Sequence, residues 1–109
     1  MSERIRKVNE LLKHEVASAL IMEGVGGFVT IKAVETSRDM KQATVWISII
    51  GGNEEEVMSE IEGKRREIQQ RTSSTLTSRN VPVLTFKVDH SGEHAQKIEE
   101  LLKNDSTKS

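Results

Sequence analysis

The sequence predicts an α+β fold with elements in the order helix, strand, strand, helix, helix, strand, and a short terminal helix appended. Three observations predict it. Apolar residues recur at helical spacing from Glu3 to Met22. Two β-rich segments follow, separated by Ser37-Arg38-Asp39-Met40-Lys41. A long polar helical span then leads through the single proline, Pro82, into an alternating segment at Leu84, Phe86 and Val88. A helical crossover between the second and third strands permits a parallel return. The expected product is a three-stranded sheet with helices on one face.

In the first helix, Ile5, Val8, Leu12, Val16, Ala19 and Leu20 form one apolar stripe. Ser2 is placed to cap it, and Gly24-Val25-Gly26-Gly27 ends it, because glycine accepts left-handed backbone angles at a helix terminus. Phe28 to Val34 is β-forming by composition, and Ala43 to Ile50 follows with Val45, Ile47 and Ile49 on one face. These two strands are expected to form an antiparallel hairpin that ends at Gly51-Gly52.

Asn53, with Glu56 three residues later, starts the next helix, and Glu54, Glu55 and Glu56 suit its positive end. Helical phase holds through Val57, Ile61, Ile68, Thr72 and Leu76 to about Thr77. That span is long for so small a chain, and Gly63 is its weak point. Two helices meeting at a bend between Gly63 and Arg66 are therefore expected. Pro82 opens the last strand, where its missing N–H is tolerated. Ser91 is placed to cap a final helix through about Leu102, with Ala95, Ile98 and Leu102 inward.

The 109 residues suit one domain, read as residues 1–103, with a polar, disordered tail at 104–109. The absence of cysteine excludes disulfides and thiolate metal sites. No apolar stretch approaches a membrane span, and Met1-Ser2-Glu3-Arg4 lacks the apolar run of a signal peptide. A cytoplasmic protein without a membrane partner is the expectation. The formal net charge of −1 lacks the basic excess usual in nucleic-acid binders. The charge is unevenly spread, however. Lys64, Arg65, Arg66, Arg71 and Arg79 face only Glu67, whereas the stretch from Asn53 to Glu62 holds Glu54, Glu55, Glu56, Glu60 and Glu62 and no base.

The order of elements is that of a type II KH domain. Within that class the chain resembles the ribosome-binding factor A family, which assists maturation of the small ribosomal subunit. The resemblance is carried by Arg4-Ile5, Val8, Leu11, Leu12, Val16 and Leu20 in the first helix, and by Ser37-Arg38-Asp39-Met40-Lys41 with Ala43, Val45 and Ser48 in the hairpin. Gly51 closes the second strand, and Arg79-Asn80-Val81-Pro82-Val83-Leu84-Thr85-Phe86 leads to Asp89 and Ser91. It covers roughly residues 4 to 102. KH domains place a Gly-x-x-Gly loop between the paired helices, and this family uses an Ala-x-Gly bend there. Counting back from Pro82 without gaps puts Lys64-Arg65-Arg66 at that bend, with Gly63 three places early.

The resemblance implies binding to the 30S subunit and its 16S rRNA, with support of rRNA processing, by a monomer, and it implies an assembly GTPase as release partner. The RNA surface it implies includes the helix bend and the following helix, where Lys64, Arg65, Arg66, Arg71 and Arg79 offer charge to phosphates. Arginine suits this because its planar fork matches phosphate oxygens. Arg4 and Lys7 on the first helix and Arg38 and Lys41 at the hairpin turn complete the candidate set. Ordinary solvated helix surface is the competing reading for the bend cluster and the favoured one for the helix-one residues. A protein–protein module that docks a basic partner on the Glu54–Glu62 stretch is the alternative function, and a KH-like binder of non-ribosomal RNA is a weaker third.

Enzymatic chemistry is not expected, and neither is a cofactor or a small-molecule substrate. Asp89, Ser91 and His94 lie close in sequence, but helix capping accounts for Ser91 and nothing supplies an activated nucleophile. His90 and His94 are four apart, but with His14 distant and no cysteine a metal site is not expected. The Gly24 to Gly27 run precedes a strand and so is not a phosphate-cradling loop of the dinucleotide type. Of three aromatic residues, Phe86 follows the inward pattern, and Trp46 alternates opposite to Val45 and Ile47, toward the open sheet face or an edge. Packing under the terminal helix is its expected role, and base-specific readout by stacking is not expected.

Overall fold

A computed structural model of the chain describes residues 2–25, 29–76 and 81–91. Its elements are α1 (Glu3–Met22), β1 (Val29–Thr36), β2 (Gln42–Ile49), α2 (Glu54–Gly63), α3 (Arg65–Thr75) and β3 (Val83–Val88). The sheet order is β1-β2-β3, antiparallel between β1 and β2 and parallel between β2 and β3. The expected order and the parallel return are both present. The terminal helix, Phe28, Arg79, His94 and the polar tail lie outside the described residues.

α1 starts where its capping chemistry places it: the Ser2 hydroxyl accepts the Ile5 N–H at 3.2 Å. It ends at Gly24, whose φ of +77° is open to glycine at no steric cost. Leu12, Val16, Ala19 and Leu20 are buried, as the stripe requires. α2 is capped by Asn53, whose Oδ1 accepts the Glu56 N–H at 3.2 Å.

The inward rows of the sheet run across all three strands. Val34, Val45 and Phe86 form one row, and Ile31, Ile47 and Val88 form the next. These pack with Leu12, Val16, Leu20, Ile61 and Ile68 into a single core. Strand β1 reaches this register only through a bulge. Ile31 pairs with Ile47 and Ala33 with Trp46, so Lys32 is the extra residue. The bulge turns Ile31 and Val34 to the same face although they are three apart, while Ala33 is exposed. Composition alone gives β1 its strand character but not this change of phase.

Trp46 is corrected in one respect. It lies on the central strand, so it is not at a sheet edge. It is half-buried on the face opposite Val45 and Ile47, with the Lys87 ammonium 5.8 Å from its ring centroid. Phe86 is core, only 4% exposed.

The hairpin turn is held by its own side chains. Asp39 Oδ1 accepts the Ser37 hydroxyl at 2.7 Å and the Lys41 N–H at 3.0 Å, while the Ser37 hydroxyl accepts the Gln42 N–H at 3.1 Å. Met40 takes the left-handed conformation, with φ +63°. These bonds to the ionised carboxylate, the Ser37 hydroxyl first and then the Lys41 N–H, hold Asp39 below its ordinary pKa of 3.8.

Candidate nucleic-acid interface

The helix bend falls at Lys64, inside the expected interval. Gly63 is the last residue of α2, Arg65 the first of α3, and Lys64 joins them at φ −110° and ψ 9°. Those angles are open to any L-residue. A Cβ on Gly63 would meet nothing within 4 Å. The bend therefore requires no glycine for steric reasons. The ungapped count from Pro82, which puts Lys64-Arg65-Arg66 at the bend, agrees with this position, and Gly63 ends α2 just before it.

The bend concentrates positive charge. Arg65 and Arg66 open α3, whose N-terminus has no side-chain cap hydrogen bond. Arginines at the positive end of a helix dipole oppose helix stability locally and attract anions. Only Glu67 offsets them within the first turn of α3. Arg65 also lies 3.8 Å from Glu62, a half-exposed pair of small energetic weight. Lys64 is half-buried and Arg66 exposed.

Beside these residues runs an open groove of about 420 Å³, lined by Glu62, Arg65, Arg66, Gln69, Gln70 and Val83. Its walls are α3 and, among the described residues, the outer edge of β3 at Val83. Gln69 joins the walls: its Oε1 accepts the Leu84 N–H at 2.9 Å, and its Nε2 donates to the Pro82 carbonyl at 3.0 Å. No periodicity or motif singles out Gln69, which reads as one more polar residue of a polar helix.

The hairpin turn reaches the same end of the molecule. The Lys41 carbonyl accepts the N–H of Val83, a groove residue, at 2.9 Å. Arg38 and Lys41 are both exposed there. The N-terminal half of α1 is fastened next to the turn, because Asn9 Oδ1 accepts the Thr36 N–H at 3.0 Å and the Thr36 hydroxyl. Arg4 and Lys7 are exposed on that half. The fold thus gathers the elements bearing Arg4, Lys7, Arg38, Lys41, Arg65 and Arg66 toward one end.

Arg71 is placed differently. Its Nε lies 2.6 Å from Glu23 Oε2, across α3 to the end of α1, and it lines a separate cleft with Glu15, Ser18 and Met22. At the opposite end of β3, His90 Nε2 meets Glu54 Oε1 at the start of α2. Asp89 Oδ1 accepts the Ser91 N–H at 2.9 Å, and bonds from that N–H and the Ser91 hydroxyl hold its carboxyl below the ordinary 3.8. Among the described residues, no three His, Cys, Asp or Glu side chains are grouped to hold a metal, and no helix is long and apolar enough to cross a membrane.

Comparison with known proteins gives this arrangement a context. The family model described as ribosome-binding factor A matches residues 4–102. A ribosome-binding factor A from Geotalea daltonii is 36% identical, over 94% of this chain and 88% of the relative. The crystal structure of ribosome-binding factor A from Thermus thermophilus superposes with a TM-score of 0.69 at 19% identity, covering 77% of this chain and 94% of that one. Coordinates of the Thermus thermophilus factor fitted into a cryo-EM map of its complex with the 30S particle superpose with a TM-score of 0.63 at 18% identity, covering 75% of this chain and 91% of that one. The fold is KH-like, and with the family match spanning nearly every described element, this chain belongs to the ribosome-binding factor A family.

Proposed function

We propose that this protein binds the RNA of the immature small ribosomal subunit and assists its maturation, including processing of 16S rRNA. The observation that carries this reading is the groove at the α3–β3 edge. There Arg65 and Arg66 stand at a helix N-terminus that has no side-chain cap, beside the hairpin end that bears Arg38 and Lys41. Two guanidiniums and a positive helix end suit phosphate oxygens. The family membership and the 30S complex of the Thermus thermophilus factor support the choice of target.

In this reading Lys64, Arg65 and Arg66 make the principal phosphate contacts, with Arg38, Lys41, Arg4, Lys7 and Arg79 as further contacts around them. Arg71, engaged by Glu23, braces α3 against α1 and thereby orients the groove. Binding acts sterically: it holds immature RNA in a processable shape, and no bond is made or broken by the protein. The factor works as a monomer, and a GTPase of subunit assembly releases it.

Co-sedimentation with immature small subunits, mature small subunits and whole ribosomes tests this at low and moderate salt. Salt-sensitive binding to free small subunits, abolished in an Arg65→Glu/Arg66→Glu variant, is expected. For single-stranded RNA the salt slope falls by about 0.7 for each phosphate no longer neutralised, so the double variant drops by about 1.4. Binding that survives this charge reversal with its slope unchanged would sink the assignment of the groove. Failure to bind any particle at low salt would favour instead a protein partner for the exposed Glu54, Glu55 and Glu56 on α2.

A further inference from the structure

Among the described residues β3 is an edge strand, so its outward polar groups are not bonded by a further strand as those of β2 are. Along β3 the backbone groups alternate in direction. The Val83 N–H points to β2, where it meets the Lys41 carbonyl, and the next N–H, from Leu84, points away. The outward Leu84 N–H and Pro82 carbonyl form a donor–acceptor couple on this edge. Two kinds of ligand pair with such a couple: another strand, or the hydrogen-bonding edge of an unstacked nucleobase.

In this protein the couple is already taken. The Gln69 side-chain amide, itself a planar acceptor and donor, bonds both groups, at 2.9 and 3.0 Å. Gln69 also lines the groove that Arg65 and Arg66 border. The groove therefore offers two cationic side chains and one backbone couple that is closed from within.

We propose that Gln69 is a built-in occupant of the base-reading edge of this groove, so that the groove reads the sugar–phosphate backbone of single-stranded RNA and not its bases. This rests on the RNA-binding reading above and names what that site recognises. A base entering the groove has to displace an amide that is tethered to α3 and already bonded twice. Phosphates meet Arg65 and Arg66 with no comparable exchange. Gln69 is thus a specificity-determining residue that acts by exclusion, and the partner is RNA of any base composition whose backbone fits the charge at the bend.

Short single-stranded oligonucleotides of adenylate, cytidylate or uridylate test this by fluorescence anisotropy at low salt, with the full chain and a Gln69→Ala variant. The unaltered protein is expected to bind all three alike. The variant, with its backbone couple opened, is expected to separate the best from the worst by about tenfold, within the discrimination one bidentate base contact supplies. Equal binding of all three by both proteins would overturn the role of Gln69 and leave the RNA reading intact. So would a variant that self-associates without gaining base preference, since Gln69 would then be only a guard against strand addition. Absence of binding by the unaltered protein to every oligonucleotide and every ribosomal particle would overturn the RNA reading itself.

If Gln69→Ala fails to fold, NMR titration of the unaltered protein decides the matter. The Gln69 side-chain amide and the Leu84 N–H are expected to hold their chemical shifts as RNA is added, while the Arg65 and Arg66 Nε–H signals move. Shifts that show the Gln69 amide leaving Leu84 on RNA binding would overturn the proposal.

Discussion

Arg71 and Glu23 form an ion pair that closes α3 onto the end of α1, with Nε and Oε2 2.6 Å apart. The Glu23 side chain is 12% exposed and that of Arg71 45%. Glu23 follows the last turn of α1, where the helix dipole is negative, so the carboxylate depends on Arg71 for compensation.

Arg71→Ala is therefore expected to lower stability by about 1–2 kcal/mol, since it leaves a largely buried carboxylate without its charged partner. Urea unfolding followed through the single tryptophan, Trp46, measures this. The salt slope of subunit binding is expected to change much less than in the Arg65→Glu/Arg66→Glu variant. A slope as reduced as in that variant, with stability unchanged, would return Arg71 to the phosphate contacts.

Gly63→Ala is expected to stabilise the protein by about 0.5–1 kcal/mol. Gly63 ends α2 within the helical conformation, and an added Cβ meets no atom within 4 Å, so the substitution chiefly removes backbone freedom from the unfolded chain. A thermal melt reports it. Destabilisation would mean that the bend depends on glycine after all.

Asn9 is a buried polar residue of α1 whose Oδ1 serves both the N–H and the hydroxyl of Thr36. Asn9→Ala strands the Thr36 N–H and is expected to cost about 1–3 kcal/mol. Hydrogen exchange at the Thr36 amide should rise in the variant. Unchanged exchange would show that water replaces Asn9 there.

The hairpin carboxylate Asp39 gives a pH dependence of known sign. Its folded pKa lies below the ordinary 3.8, because the Ser37 hydroxyl and the Lys41 N–H bond the ionised form. A depressed folded pKa means that its contribution is fully present above the unfolded value and disappears as pH falls through the folded one. Asp39→Asn is expected to flatten part of the stability loss below about pH 4 and to leave the pH dependence of the neutral range unchanged. Acid titrations of both proteins, followed by circular dichroism, compare them. Parallel acid limbs would show that the turn contributes nothing through this group.

The strand β1 shows where reading the chain stops. Its residues are β-forming, yet Ile31 and Val34 share a face only because Lys32 bulges, and a period-two pattern does not reveal a skipped residue. The bend shows the same limit in another form. The weak point at Gly63 and the ungapped count from Pro82 both mark its position to within a residue or two, but neither shows that Lys64 makes the bend with backbone angles open to any residue. The candidate site divides likewise. The cluster Lys64, Arg65 and Arg66 stands out as a run of charge, whereas Gln69 carries no mark.

The set of elements and their order were legible along the chain: the capped first helix, the hairpin, the broken helical span and the parallel return. Periodicity and capping act over a few residues, so they can be read directly along the chain. Which polar side chains meet depends on how the elements pack. Gln69 bonds the Pro82 carbonyl across 13 residues, Asn9 bonds Thr36 across 27 and Arg71 bonds Glu23 across 48. Each of these partners satisfies the other's polar group only once the core has brought two elements into contact, and no local pattern encodes that distance.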